Sequence, residues 1–219
     1  MKELVLASRN KGKAKEIKEI LKHLNLKFLS LKDFPGIPLV KEDCKTFRGN
    51  AVKKSKTYQR LTKKLVLAED SGLQVDALDG DPGVYSARFA GKEQDDKKNI
   101  KKLLKLLKNV PEKKRKATFK SVIAITFLDG KTTVVSGAYR GWINFKAKGK
   151  FGFGYDPVFV APRFKKTFAE LSPELKNRIS HRAKALKKAK KNFGGVAQLV
   201  EQAAHTRYVQ GSNPRTATF

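Results

Sequence analysis

Leu65-Val66-Leu67-Ala68-Glu69-Asp70-Ser71-Gly72 is the stretch on which the reading of this chain turns. An apolar run rich in β-forming residues delivers a pair of acids, a serine and a glycine to the end of an expected strand. Strands buried on both faces read as continuous apolar runs, and open α/β sheets bind ligands just outside their strand ends. Successive side chains of a strand point to opposite faces, so Glu69 and Asp70 are expected to do different work. A carboxylate placed there suits a hard cation such as Mg²⁺, or proton abstraction from water. The competing reading is an acidic turn leaving a strand, and only the context of the motif decides between them.

Upstream, Leu4-Val5-Leu6-Ala7 is a second apolar run, ending in Ser8-Arg9-Asn10-Lys11-Gly12-Lys13. A helical stripe of Ala14, Ile17, Leu21 and Leu24 follows. Strand, polar glycine-bearing loop and helix in this order aim backbone N–H groups and the positive end of the helix at one spot, which favours phosphate. Ser8 and Asn10 add neutral donors and Lys13 a charge. The spacing is not that of a Walker A loop. An ordinary turn with solvated lysines is the competing reading.

Downstream, Gly149-Lys150-Phe151-Gly152-Phe153-Gly154-Tyr155-Asp156-Pro157 interleaves glycines with aromatics. Such a loop lets backbone approach a ligand closely, and a purine stacked on Phe153 or Tyr155 would gain roughly 1–3 kcal/mol. Aromatics that plug the core are the alternative. Ser172-Pro173 marks a helix start, and Ser180 starts a second helical stretch. Lys176, His181 and Arg182 then sit near helix beginnings, where the dipole disfavours cations unless an anion is present. A phosphate partner would resolve that misfit, and a solvated basic helix face would make it unremarkable.

These segments together resemble the inosine triphosphate pyrophosphatase, or Ham1-like, family. The resemblance rests on Ser8–Lys13, on Glu42 ahead of Thr46-Phe47 and Asn50-Ala51, on Ala68–Gly72, on Pro82-Gly83-Val84-Tyr85-Ser86-Ala87-Arg88, on Phe151–Pro157 and on Ile179–Arg182. It covers residues 1–192, the expected pyrophosphatase domain. What it implies is Mg²⁺-dependent hydrolysis of ITP, dITP and XTP between the α and β phosphates, giving monophosphate and pyrophosphate and cleansing the nucleotide pool. It implies that Asp70 is the general base and a metal ligand, with Glu42 a second metal carboxylate, and it leaves open whether Glu69 is a third. Ser8, Arg9, Asn10, Lys11, Gly12, Lys13, Ser71 and Lys176 would hold the triphosphate. Phe153, Gly154, Tyr155 and Asp156 would form the base pocket, where His181 and Arg182 read the purine's oxygen edge. Arginine only donates hydrogen bonds, so it suits the carbonyl of hypoxanthine or xanthine and opposes the amino group of adenine. Guanine shares that carbonyl, so its rejection needs a further element. The chain departs from the family's pattern at Gly49, where glutamate is usual, and at Cys44, where glycine is common. The family is typically homodimeric.

The chain has 219 residues, 40% of them hydrophobic, which is within single-domain range. Its one cysteine, Cys44, allows no internal disulfide. No apolar run approaches the roughly 20 residues that cross a bilayer, so a cytoplasmic protein is expected. The formal net charge of +29 supports a rival reading as a basic nucleic-acid-binding protein. The lysines are spread over most elements and lack interleaved aromatics, so non-specific adhesion to nucleic acid and steering of nucleotides are the expected consequences. The pattern predicts helices at Lys13–Leu24, Phe47–Leu61 and Asp96–Leu107, and strands at Lys27–Leu31, Leu65–Glu69 and Leu73–Ala77. It also predicts a hairpin of Ala117–Leu128 and Thr132–Arg140 around Asp129-Gly130. The expected fold is α/β: an elongated central mixed sheet flanked by helices, with two lobes and a nucleotide cleft between them. Residues 193–219 have no family counterpart and read as a disordered tail. There Gly211-Ser212-Asn213-Pro214 matches a translated transfer-RNA T-arm, as expected of a frame running into such a gene.

Overall fold

The first apolar runs pair as parallel strands, and the hairpin adds antiparallel ones. A computed structural model describes residues 2–190, and the tail expected at 193–219 lies outside them. β1 (Lys2–Leu6) leads into α1 (Lys11–Leu21), and β2 (Leu26–Ser30) returns parallel to β1. After α2 (Phe47–Thr62) comes β3 (Leu65–Val75), parallel to β1 and antiparallel to β4. α3 (Asp96–Leu106) precedes β4 (Lys116–Thr126) and β5 (Thr132–Ile143). The short strands β6 (Phe159–Ala161) and β7 (Lys166–Thr167) follow, then α4 (Pro173–Ile179) and α5, helical over residues 181–190. Among the described residues the strands form one mixed sheet of seven in the order β2-β1-β3-β4-β5-β6-β7.

One expectation is corrected in the middle of the sheet. Glu69 and Asp70 do not end a strand, because β3 is a single run of 11 residues rather than two short ones. β4 supplies the reason, pairing continuously past the acids, with Glu69 opposite Ile123, Asp70 opposite Val122 and Gly72 opposite Lys120. Gly72 sits in that run because a Cβ there would lie 2.5 Å from the Gly83 carbonyl oxygen and closer still to the Ser86 hydroxyl. The Ser86 hydroxyl takes the Leu73 N–H at 2.8 Å. The hairpin turn falls where Asp129-Gly130 predicts, but β5 runs on to Trp142 and Ile143, which pair with β6.

Alternation along β1 and β3 sorts the core. Leu4, Leu6, Leu65 and Leu67 pack with Ile17 and Leu21 of α1 and Ala185 and Leu186 of α5. Val5, Ala7, Val66 and Ala68 face the other way, onto Tyr58 of α2. Each fully buried leucine or isoleucine contributes about 1.5–3 kcal/mol. A third cluster joins Leu73 and Val75 of β3 to Leu103 and Leu107, Phe119, Tyr155 and Phe159. Ile100 and Leu104 complete the inner stripe of α3, leaving Lys97, Lys98, Lys101 and Lys105 exposed.

Gly72→Ala should destabilise the protein by about 1–3 kcal/mol through overpacking against Gly83 and Ser86, read as a lower urea midpoint at unchanged slope.

Candidate functional site

The loop between β1 and α1 is tied to itself. Asn10 is the N-cap of α1, its Oδ1 accepting the Lys13 N–H at 2.9 Å, while Ser8 Oγ accepts the Asn10 N–H at 3.3 Å. Arg9 and Lys11 are exposed, whereas Lys13 is half-buried. Burial of the Lys13 ammonium pulls its pKa down, opposed by the nearby carboxylates of Glu69 and Asp70. Among the described residues Lys13 forms no ion pair. Gly12 abuts the ring of Phe153, where a Cβ would come within 2.5 Å, so the phosphate-type loop and the glycine–aromatic loop touch.

The adjacent acids divide their work as strand alternation requires. Asp70 faces α2: Asn50 Nδ2 donates to its Oδ2 at 2.9 Å, and the Ser71 N–H to its Oδ1 at 3.0 Å. Burial pushes the Asp70 carboxyl up, helped by Glu42 and resisted by Lys13, Lys54 and the Asn50 bond. Lys54 Nζ bridges Glu42 Oε1 at 2.9 Å and the Glu69 carbonyl at 2.7 Å. Glu42 itself is about one-third exposed, at 37%. Glu69 faces the opposite side, where Arg182 Nε reaches both its oxygens at 2.9 Å and Ser121 Oγ donates at 2.6 Å. Burial would raise the Glu69 carboxyl, but Arg182 and Lys13 overcome this and hold it low. Its oxygens are engaged by Arg182 and Ser121, on the face of β3 opposite Asp70.

At the α4–α5 end of the site, Ser172 caps α4 with Pro173 in its first turn, and Ser180 Oγ accepts the Ala183 N–H at 3.2 Å as α5 starts. The cations near these helix starts are met by protein carboxylates. Lys176 pairs with Glu16 at 2.8 Å and with Asp156, and Arg182 pairs with Glu16 as well as Glu69. The helix-start misfit is therefore balanced inside the protein, without a phosphate. Burial raises the Asp156 carboxyl against the pull of Lys176. Phe153 offers its ring to Lys176 Nζ at 4.9 Å and to the Arg182 guanidinium at 5.6 Å. Tyr155 is core rather than a free platform, with its hydroxyl donating to the Ser86 carbonyl at 2.9 Å. His181 stacks on Phe119 at 4.7 Å, and its buried Nδ1 has no hydrogen-bond partner. Burial, reinforced by Arg182 and Lys176, holds His181 well below its usual pKa and hence neutral.

One hollow gathers most of the expected site: Asn10, Lys13, Ser71, Phe153, Gly154, Tyr155, Asp156, Lys176, His181 and Arg182 line it. Ser8, Arg9, Lys11 and Gly12 do not, although their loop borders it. Asp70 and Glu42 do not line it either, although Asp70 adjoins Ser71 on β3. Sequence reasoning assigned no role to Glu16, Asn50, Lys54, Ser86, Asp96 or Ser121. Asn50 and Ser86 carried a signal, each as part of a quoted motif. The Gly49 and Cys44 departures meet in space, since a Cβ at residue 49 would lie 2.8 Å from the Cys44 Cβ. Cys44 thus fills the room that Gly49 vacates. Among the described residues no group of three or more His, Cys, Asp or Glu side chains gathers as a metal cluster, and no helix is long and apolar enough to cross a membrane.

A mixed α/β sheet carrying a loop–helix phosphate-type site beside a basic, aromatic-walled hollow defines a nucleotide-binding protein. The chain belongs to the Ham1 family, whose profile matches residues 4–192. It is 53% identical over 186 residues to the dITP/XTP pyrophosphatase of Desulforamulus reducens, covering 85% of this chain and 92% of that protein. With the enzyme of the same name from Clostridium perfringens it shares 49% identity over 203 residues, 90% of this chain and 99% of that one. Its fold is similar to the Staphylococcus aureus Ham1 protein, with a TM-score of 0.79 at 40% identity over 89% of this chain and 99% of that one. A HAM1 protein from Coxiella burnetii gives a TM-score of 0.80 at 38% identity, over 89% of this chain and all of the other.

His181 yields a pH dependence. Its folded-state pKa lies below the unfolded value, so the unfolded chain binds the proton first and stability is lost as pH falls from about 6.5. Replacing His181 with Phe keeps the stack on Phe119, so its melting temperature should fall less than that of the parent between pH 7.5 and 5.5.

Proposed function

We propose that this chain hydrolyses ITP, dITP and XTP to the monophosphate and pyrophosphate, removing deaminated purines from the nucleotide pool. The observation that carries this reading is Asp70. It is a buried carboxylate held at both oxygens, beside a half-buried Lys13 with no ion-pair partner, next to Ser71 at the wall of the hollow. The names of its relatives support the same substrate class.

In this reading the backbone N–H groups at the start of α1, with Lys13 and Ser71, hold the triphosphate. Each carboxylate oxygen has lone pairs beyond the bond it already accepts, so Asp70 can take a hydrogen bond from water and then its proton. Burial keeps that carboxylate poorly solvated and more basic than an exposed one. The water oxygen bonds to the α-phosphorus, the bond from that phosphorus to the α–β bridging oxygen breaks, and pyrophosphate leaves with the bond's electrons. Mg²⁺ is commonly held by only one or two carboxylates plus substrate phosphates, so Asp70 and Glu42 fit it without a larger cluster. When bound it would neutralise charge on the phosphate oxygens. Glu69, taken up by Arg182, is left out of that set.

At the base end, Arg182 has five N–H groups, and its bonds to Glu69, Glu16 and Ser71 leave donors free for a purine carbonyl. Adenine would bring an amino group to the same donors. Two lobes meeting at this hollow, a homodimer and a cytoplasmic location complete the reading. The exposed lysines of α3 act as solvated surface that adheres to nucleic acid at low salt.

Pyrophosphate release with Mg²⁺ should be far faster from ITP or XTP than from ATP. Asp70→Asn should lower turnover by about 10²–10⁴-fold at an unchanged melting profile. Equal rates on ATP and ITP, or full activity in the Asn variant, would overturn the reading.

A further inference from the structure

The glycine–aromatic loop is fastened to separate parts of the molecule. Phe153 presses on Gly12, and the Tyr155 hydroxyl donates to the Ser86 carbonyl at 2.9 Å. The Phe153 N–H donates to Asp156 Oδ2 at 2.9 Å. Across the hollow, the Gly154 N–H donates to Asp96 Oδ2 at 2.7 Å. The anchors at Tyr155 and Asp156 are buried, whereas Asp96 is exposed.

Asp96 is the first residue of α3, but the helix does not use it as its cap. Asp95 is the N-cap, its Oδ1 accepting the Lys98 N–H at 3.0 Å. The Asp96 carboxylate is free to reach over the hollow, whose lining includes both Asp96 and Gly154. Gly154 has φ of +60°, and a Cβ there would meet nothing within 4 Å, so no packing holds this glycine and the loop gains from an outside restraint at it. A carboxylate accepting a backbone N–H forms a charge-assisted bond, among the stronger kinds of hydrogen bond.

We propose that Asp96 is a positioning residue for the nucleotide base. Its bond to the Gly154 N–H fixes the glycine–aromatic loop against the hollow before the base arrives, so binding does not have to order the loop. The inference rests on the reading of the hollow as a purine-nucleotide site. Asp96 holds the loop at Gly154, whereas Asp70 is held by Asn50 and the Ser71 N–H, so the influence of Asp96 falls on affinity and leaves the chemical step alone.

The test compares the full-length parent, Asp96→Asn and Asp96→Ala by ITP kinetics, calorimetric titration with IMP and thermal melting. Asparagine keeps an acceptor oxygen and alanine does not. Alanine should raise KM for ITP and Kd for IMP by about tenfold each, with kcat within about twofold, and asparagine should fall between alanine and the parent. Melting temperatures should agree, because Asp95 still caps α3. Unchanged KM and Kd in the alanine variant, a fall in kcat alone, asparagine no better than alanine, or no IMP binding by the parent would each overturn the proposal. A parent that binds IMP but releases no pyrophosphate from ITP would instead overturn the hydrolytic reading, and the ranking of IMP affinities would still decide the role of Asp96.

Discussion

Arg182 is the charge that the architecture has to accommodate. It is 1% exposed, and a lone guanidinium at such a depth costs several kcal/mol of lost hydration. Two carboxylates from different parts of the chain offset that cost, Glu69 from β3 and Glu16 from α1, and Ser71 accepts a further hydrogen bond at 3.2 Å. The arrangement fixes where α5 starts relative to the sheet. Glu16 also takes Lys176 of α4, so one side chain of α1 holds both α4 and α5. Removing a single partner from such a network would leave a buried charge uncompensated, at about 3–5 kcal/mol.

From that constraint the division of labour on β3 follows. Adjacent acids on one strand must face opposite sides of the sheet, and each side has a different helix. Glu69 meets α5 and becomes structural, while Asp70 meets α2 and is held by Asn50, which ties it to the segment bearing Glu42 through the Cys44 N–H at 2.9 Å. A one-residue slip in the pairing of β3 with β4 would exchange these roles. The uninterrupted ladder from Val66 to Val75 prevents it.

How much of this was legible in the chain depended on the range of the interactions. The hairpin was readable because Asp129-Gly130 is a local turn signal flanked by alternating residues, and the start of α4 because Ser172-Pro173 is a local cap. The site segments were readable as motifs, and ten of the sixteen expected site residues do line one hollow. The continuous β3 was not readable, since Glu, Asp, Ser and Gly in succession look like a turn until β4 is laid alongside. Glu16 was illegible for the same reason in stronger form: its partners lie 160 and 166 residues away, and on its own helix it looks like one more surface acid. Cys44 and Gly49 read as separate departures from the family's pattern, and only their contact shows them to be one exchange of volume.

The charge of the chain takes on a different meaning once the hollow is in view. Most of the +29 sits on exposed lysines, where water and salt screen it beyond about 10 Å. Around the site, Lys176 is matched with Asp156 and Glu16, Arg182 with Glu69 and Glu16, and Lys54 with Glu42, while Arg115, buried elsewhere, donates only to backbone carbonyls. Lys13 stands apart, desolvated and near Asp70 and Glu69 but paired with neither. A polyanion entering the hollow would therefore meet one cation whose charge is not already satisfied, at the start of α1 where the backbone N–H groups converge. In the proposed reading, selectivity for a phosphate chain would come from that unmatched ammonium and the helix end, because the surface lysines offer the same attraction to any anion.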